Sequence, residues 1–149
     1  MDIWKPHVTV AALMERDGQF LLVEEETAEG IRFNQPAGHL DAGESLVAAC
    51  TREALEETAH EFVPTELVGI YQWPRPQGDI TYLRFAFAGK VGARETARQL
   101  DTGILRAVWM TPAEIAACAE RHRSPLVLQC VQDYLAGRRF PLDLIRHYG

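Results

Sequence analysis

Three glutamates, Glu53, Glu56 and Glu57, stand at i, i+3 and i+4 in a run without glycine or proline. On a helix they fall within an arc of roughly 100°. Their grouping works against local stability. Glu53 and Glu57 form a like-charge i, i+4 pair, which costs about 0.2–0.5 kcal/mol in an isolated helix. All three lie towards the C-terminal end of the run, where the helix dipole disfavours anions. Arg52 offsets part of this by pairing with Glu56 at i, i+4. Such a group is either a solvated acidic face or a carboxylate cluster held together by bound divalent cations. The triplet alone leaves both open.

The run that carries it is Ser45 to Ala59, rich in helix formers, with Leu46, Val47, Cys50 and Ala54 on one side at helical spacing. Thr27 to Glu44 precedes it, loop-rich and punctuated by Gly30, Pro36, Gly38 and Gly43. Before that, Val8–Glu15 and Phe20–Glu25 read as a hairpin around an Asp17-Gly18 turn. Downstream, Leu67–Trp73, Ile80–Lys90 and Ile104–Met110 are strand-like, with a turn from Pro74 to Asp79. Thr111-Pro112-Ala113-Glu114 opens a helix with a cap, a proline and a capping-box glutamate. Ser124-Pro125 repeats the cap-then-proline signal before a helix over Leu126–Ala136 that stops at Gly137. The order is α/β of a mixed kind, without the regular alternation of a doubly wound sheet.

A chain of 149 residues is expected to form one domain over 1–149. With 47% hydrophobic and 24% charged residues it has the composition of a globular protein. There are 21 acidic against 15 basic residues, a formal charge of -6, which argues against nucleic acid bound through bulk charge. Cys50, Cys118 and Cys130 are odd in number and form no C-x-x-C, so neither a disulfide framework nor a zinc ribbon is expected. The apolar run Val8 to Met14 is too short for a membrane span, and its flanks lack the marks of a signal peptide. A cytoplasmic protein with no membrane partner is the expectation.

The loop changes the odds for the glutamates. From Gly38 the chain reads G-x5-E-x7-R-E-A-L-E-E-T-A. This closely resembles the Nudix hydrolase signature, G-x5-E-x7-R-E-U-x-E-E-x-G-U, in which U is aliphatic. Gly38, Glu44, Arg52, Glu53, Glu56 and Glu57 all match in place. Two positions depart: Ala59 stands where the family has glycine, and His60 where it has an aliphatic residue. Glycine there lets the chain leave the helix with positive φ. Alanine in the same geometry costs around 1 kcal/mol. Gln35 to Leu46, the strand end at Trp73, Leu83 to Gly89, Arg123 to Val127 and Phe140 to Ile145 further resemble the NudJ-type branch.

The resemblance implies a mixed β-sheet sandwiched between helices and a hydrolase of phosphoanhydrides. It implies Mg²⁺, with Mn²⁺ as a possible substitute, held by Glu53, Glu56, Glu57 and the Gly38 carbonyl. Glu53 would also orient or deprotonate the attacking water. Arg52 would hold the glutamates in position. Glu44 would either stabilise the loop–helix junction or bind an outer-shell metal. A base outside the signature would come from Asp79, Glu95 or Asp101, with Asp101 favoured because it precedes the strand Ile104–Met110. Trp73 is a stacking candidate, with a packing role equally open, and Arg84 and Arg123 are candidates to meet phosphate. His39, inside the loop, reads as an exposed bystander. The branch implies hydroxymethylpyrimidine pyrophosphate and nucleoside di- and triphosphates as substrates, with phosphate released. ADP-ribose or an oxidised nucleotide, or a non-catalytic nucleotide-binding regulator, are the alternatives. The partner is a small nucleotide or diphosphate, and a monomer and a homodimer fit equally.

Overall fold

The computed structural model describes residues 1–149. In chain order the elements are β1 (His7–Leu13), β2 (Glu15–Arg16), β3 (Gln19–Thr27), β4 (Gly30–Asn34), β5 (Ala37–His39), α1 (Leu46–Thr58), β6 (His60–Pro74) and β7 (Thr81–Arg94), followed by β8 (Ile104–Met110), α2 (Pro112–Ala117), α3 (Leu126–Leu135) and β9 (Phe140–Pro141). A mixed sheet runs β5-β1-β7-β6-β9, with β1 and β7 parallel and its other pairs antiparallel. A second sheet joins β2, β3 and β4, with β8 on the free side of β3.

Strand alternation builds two cores. Ala11 and Leu13 point into a cluster with Ile115, Val127, Cys130 and Val131, under α2 and α3. Val10, Ala12 and Met14 point the other way, to Ala49, Cys50 and Ala54 of α1. The sheet therefore lies between helices, as expected. The Asp17-Gly18 turn has positive φ at both residues, 53° and 80°, the geometry a two-residue hairpin turn demands.

Three expectations change. The segment Thr27 to Glu44 is not all loop, because β4 pairs with β3 and β5 pairs with β1 inside it. The strand expected over Leu67–Trp73 begins at His60, directly after α1. Its first half alternates buried and exposed residues, and Pro64 is accommodated beside a register shift. The strand expected to end at Lys90 continues to Arg94. The predicted capping box at Thr111 is complete, with both reciprocal bonds to Glu114. At α3 the Ser124 hydroxyl accepts from the Leu126 N–H at 3.2 Å. Gly137 follows with φ 81°.

Helix α1 starts at Ser45, whose hydroxyl accepts from the Ala48 N–H, and ends at Ala59 with φ 60° and ψ 15°. The left-handed exit is thus kept without glycine. Neighbouring bonds hold it: Ala59 N–H donates to the Leu55 carbonyl at 2.9 Å, and its own carbonyl accepts from Glu95 N–H at 2.7 Å. His60 is buried; its Nδ1 lies 2.9 Å from the Thr58 carbonyl and its ring packs edge-on against Trp109.

Candidate active site

Arg52 is the hub of the acidic cluster. Its Nε and Nη2 donate to the two Glu44 carboxylate oxygens at 2.7 and 2.9 Å. Its Nη1 donates to Glu53 at 2.8 Å and to Glu56 at 3.3 Å. Nη2 also donates to the His39 carbonyl at 3.1 Å, tying the helix to the loop. This forked contact holds the Glu44 carboxyl below its usual range. Asp41 N–H donates to Glu44 as well, at 3.1 Å. Glu44 thus lies at the loop–helix junction, one of its two expected places.

Glu53 and Glu57 are on the inner side of α1, 8% and 9% exposed. Burial pushes the Glu57 carboxyl up to about 9, and the charges of Glu53, Glu25 and Asp101 add to the effect. The Ala37 N–H, donating to it at 2.9 Å, works in the opposite direction. Burial raises Glu53 too, against the pull of Arg52. Strand β5 passes so close to Glu53 that a Cβ on Gly38 would sit 2.2 Å from its carboxyl carbon. This contact is the physical reason for glycine at that position.

No three carboxylates, imidazoles or thiols converge as a ready-made metal cage. Arg52 engages Glu53 and Glu56, while the Ala37 N–H engages Glu57. The donor set is nevertheless all hard oxygen on one rigid helix. It fits a hydrated divalent ion that takes one or two carboxylates directly and keeps several waters. Crowded, half-neutralised carboxylates are the environment in which such a cation relieves most repulsion.

Of the outlying acids, only Asp101 joins the cluster. Its N–H donates to the Glu56 carbonyl at 3.0 Å, and its charge reaches both Glu53 and Glu57. Asp79 is paired with Arg75 across the β6–β7 turn. Glu95 pairs with Arg98 beyond the helix exit.

A cavity of about 740 Å³ opens beside β5 on the sheet face opposite α1 and reaches Gly38. Trp73, Arg84 and Arg123 all line it. Trp73 lies nearly parallel to Tyr82, centroids 6.0 Å apart and 16° between planes. Arg84 is buried, and Arg123 donates to Glu25 at 2.9 Å. His39 is exposed, and its ring joins the cavity wall, 3.1 Å from His7 and tilted against Tyr82. Sequence reasoning missed Glu25, Gln35 and Tyr82. Glu25 sits in an acidic strand end that reads as solvated, and Gln35 and Tyr82 carry no motif.

The NUDIX domain model matches residues 5–130. The chain belongs to the Nudix family. It is therefore a Nudix hydrolase, acting on phosphoanhydrides, and members of this family generally use divalent metals. It is 39% identical over 147 residues to "Phosphatase NudJ" of Escherichia coli, covering 99% of this chain and 95% of that one. The structure of a Nudix hydrolase from Nitrosomonas europaea superposes with a TM-score of 0.94 at 53% identity, covering 97% of this chain and 98% of that one. A MutT Nudix hydrolase from Burkholderia pseudomallei shares the fold, with a TM-score of 0.74 at 16% identity over 87% of this chain and 98% of that one.

Proposed function

We propose that this Nudix hydrolase, one domain over residues 1–149, cleaves compact diphosphates with Mg²⁺: hydroxymethylpyrimidine pyrophosphate and nucleoside di- and triphosphates, releasing phosphate. The observation that carries this is the cavity itself. It pairs an aromatic wall, Trp73 on Tyr82, with arginines, and it meets the acidic cluster at Gly38. A single flat ring stacks there without base-specific readout, while its diphosphate runs over β5 towards α1. The name of the Escherichia coli relative supports phosphate as the product.

Mg²⁺ would be held by Glu53, Glu56, Glu57 and the Gly38 carbonyl, with Mn²⁺ as a substitute, and would neutralise the phosphate oxygens that repel an anionic nucleophile. Arg52 keeps both carboxylates aimed: it engages Glu53 through one oxygen, leaving the other without an Arg52 bond, and spans both Glu56 oxygens at 3.3–3.4 Å. Glu53, within the cluster and next to Gly38, orients the attacking water and takes its proton. Asp101 adds negative charge that keeps this base proton-seeking. Glu44 anchors Arg52. Trp73, Arg84 and Arg123 position the substrate.

The test is a panel of ring diphosphates, nucleotides and ADP-ribose, assayed for phosphate and pyrophosphate with Mg²⁺, with Mn²⁺ and in chelator. Phosphate from the compact diphosphates, only with metal, is expected. Strict specificity for ADP-ribose, or pyrophosphate as the sole inorganic product, rejects the substrate assignment. Full activity in chelator rejects the metal.

A further inference from the structure

Arg84 is a buried cation without an acid. Its residue is 6% exposed, yet it enters no ion pair with any carboxylate of the chain. Its guanidinium donates instead to neutral acceptors: Gln35 Oε1 at 2.8 Å, Asn34 Oδ1 at 2.9 Å and, weakly, Cys130 Sγ at 3.8 Å. Gln35 is 1% exposed and donates through Nε2 to the Val127 carbonyl at 2.7 Å. That bond fixes which end of the amide faces Arg84. On the same side of the sheet, Asp133 accepts from Tyr71 at 2.7 Å and from Gln129 at 3.1 Å.

Buried arginines are ordinarily paired, because an uncompensated charge away from water is costly. Amide oxygens satisfy N–H groups and fix the fork, but they do not cancel the charge. The rest of the cavity does not cancel it either. Four arginines line it against Glu25 and Glu29; with Arg75 paired to Asp79 beside the cavity and Arg123 to Glu25, Arg32 and Arg84 remain against Glu29. Glu25 already serves Arg123, and the Arg32 guanidinium bonds only the Ile31 carbonyl. The chain as a whole carries -6, so this is a local reversal of sign inside a concave site.

We propose that Arg84, oriented by Gln35 and Asn34, forms an oxyanion subsite on the cavity floor that binds a phosphate group of the substrate. This deepens the reading of the cavity as the substrate pocket and rests on it. The phosphate supplies the charge that the chain withholds, and a planar fork suits its paired oxygens. Arg84 is then a binding residue. Gln35 is a positioning residue, acting only through Arg84.

The probe is inorganic phosphate, titrated into the metal-free enzyme in chelator and followed by calorimetry and by melting temperature. Wild type is expected to bind it and melt higher. Arg84→Gln should lose this response, yet melt no lower than wild type without phosphate, because it removes an unpaired charge. Glu56→Gln should keep the response, separating this subsite from the acidic cluster. In turnover, Arg84→Gln should raise KM about 10- to 100-fold, the worth of lost charge-assisted bonds, with kcat within a few-fold. Phosphate should compete with substrate in wild type. Arg84→Lys keeps the charge without the fork and should recover part of the KM. Gln35→Met should raise KM with kcat kept. No phosphate response in wild type, an unchanged response in Arg84→Gln, or a lower melting temperature with unchanged KM would overturn the subsite. An enzyme that binds phosphate through Arg84 but hydrolyses none of the panel would overturn the proposed substrates instead.

Discussion

Replacing Gly38 by alanine tests how tightly the fold fixes Glu53. The added methyl would lie 2.2 Å from both the carboxyl carbon and Oε1 of Glu53. Ordinary van der Waals contact begins at 3.4 Å, so the carboxylate must retreat by about 1.2 Å. What yields is the far end of a flexible side chain, and Gly38 does not have positive φ. Alanine at such a backbone also gains about 0.4–1 kcal/mol through the unfolded state. Stability should therefore stay within about 1 kcal/mol of wild type, a shift of about 2–4 °C at this chain length. Catalysis is less forgiving. A misplacement of about 1 Å at a reacting group costs on the order of 100-fold. The assay is phosphate release at saturating substrate and Mg²⁺, with melting temperatures measured in parallel. A kcat within a few-fold of wild type would show that Glu53 does not act from this position. Loss of folding would show that the backbone, not the carboxylate, gives way.

Ala59→Gly relieves the left-handed residue and should stabilise by about 1 kcal/mol, read as a higher melting temperature with unchanged kcat. Glu57 is raised from 4.5 to about 9 in the folded chain, so its contribution is fully present below pH 4.5 and is lost as pH rises towards 9. Melting in chelator should accordingly fall across that window, and Glu57→Gln should flatten the profile; a parallel slope in the variant refutes the assignment. The stabilisation by Mg²⁺ should grow over the same window, since the metal takes the ionised carboxylate, and Glu56→Gln should weaken that stabilisation and activity together. Trp73→Ala should raise KM by the equivalent of about 1–3 kcal/mol and spare kcat, because stacking acts equally on ground and transition states. A fall in kcat without a change in KM would place Trp73 outside the pocket.

The helix and its acids were legible because their logic is local. Ser45, Arg52 and the three glutamates lie within one helix and its cap, and spacing alone sets their geometry. Thr111 with Glu114 is local in the same way. Strand β5 is hidden because its pairing partners, Thr9 to Ala11, lie elsewhere in the chain. Strand β4 forms a local hairpin with β3, Thr27 opposite Gly30, but its flanks are the acidic run Glu24 to Glu26 and the partly exposed Gly30 to Arg32, which read as loop. Pro64 hid the first half of β6, where a register shift makes room for it. Trp73, Arg84 and Arg123 could be nominated one by one, yet nothing in their spacing says that they share a cavity. Gln35 and Tyr82 are ordinary residues whose roles exist only once four distant segments meet. Asp101 was singled out for preceding β8, whereas the tie that matters is its backbone bond to Glu56.

The mixed sheet acts as a partition between two workshops. The glutamates stand with α1 on one side, the aromatic wall of Trp73 and Tyr82 lies on the other, and the short β5 is the sill between them. Thr9, His39, Trp73 and Tyr82 can therefore be exchanged without disturbing a carboxylate, and the acid cluster can stay constant while the pocket is recut for a different ring. Selection on this architecture can change what is hydrolysed separately from how. The backbone of β5 belongs to both sides, through the Ala37 N–H on Glu57 and the His39 carbonyl on Arg52, and at Gly38 a side-chain change made for one would be felt at once by the other.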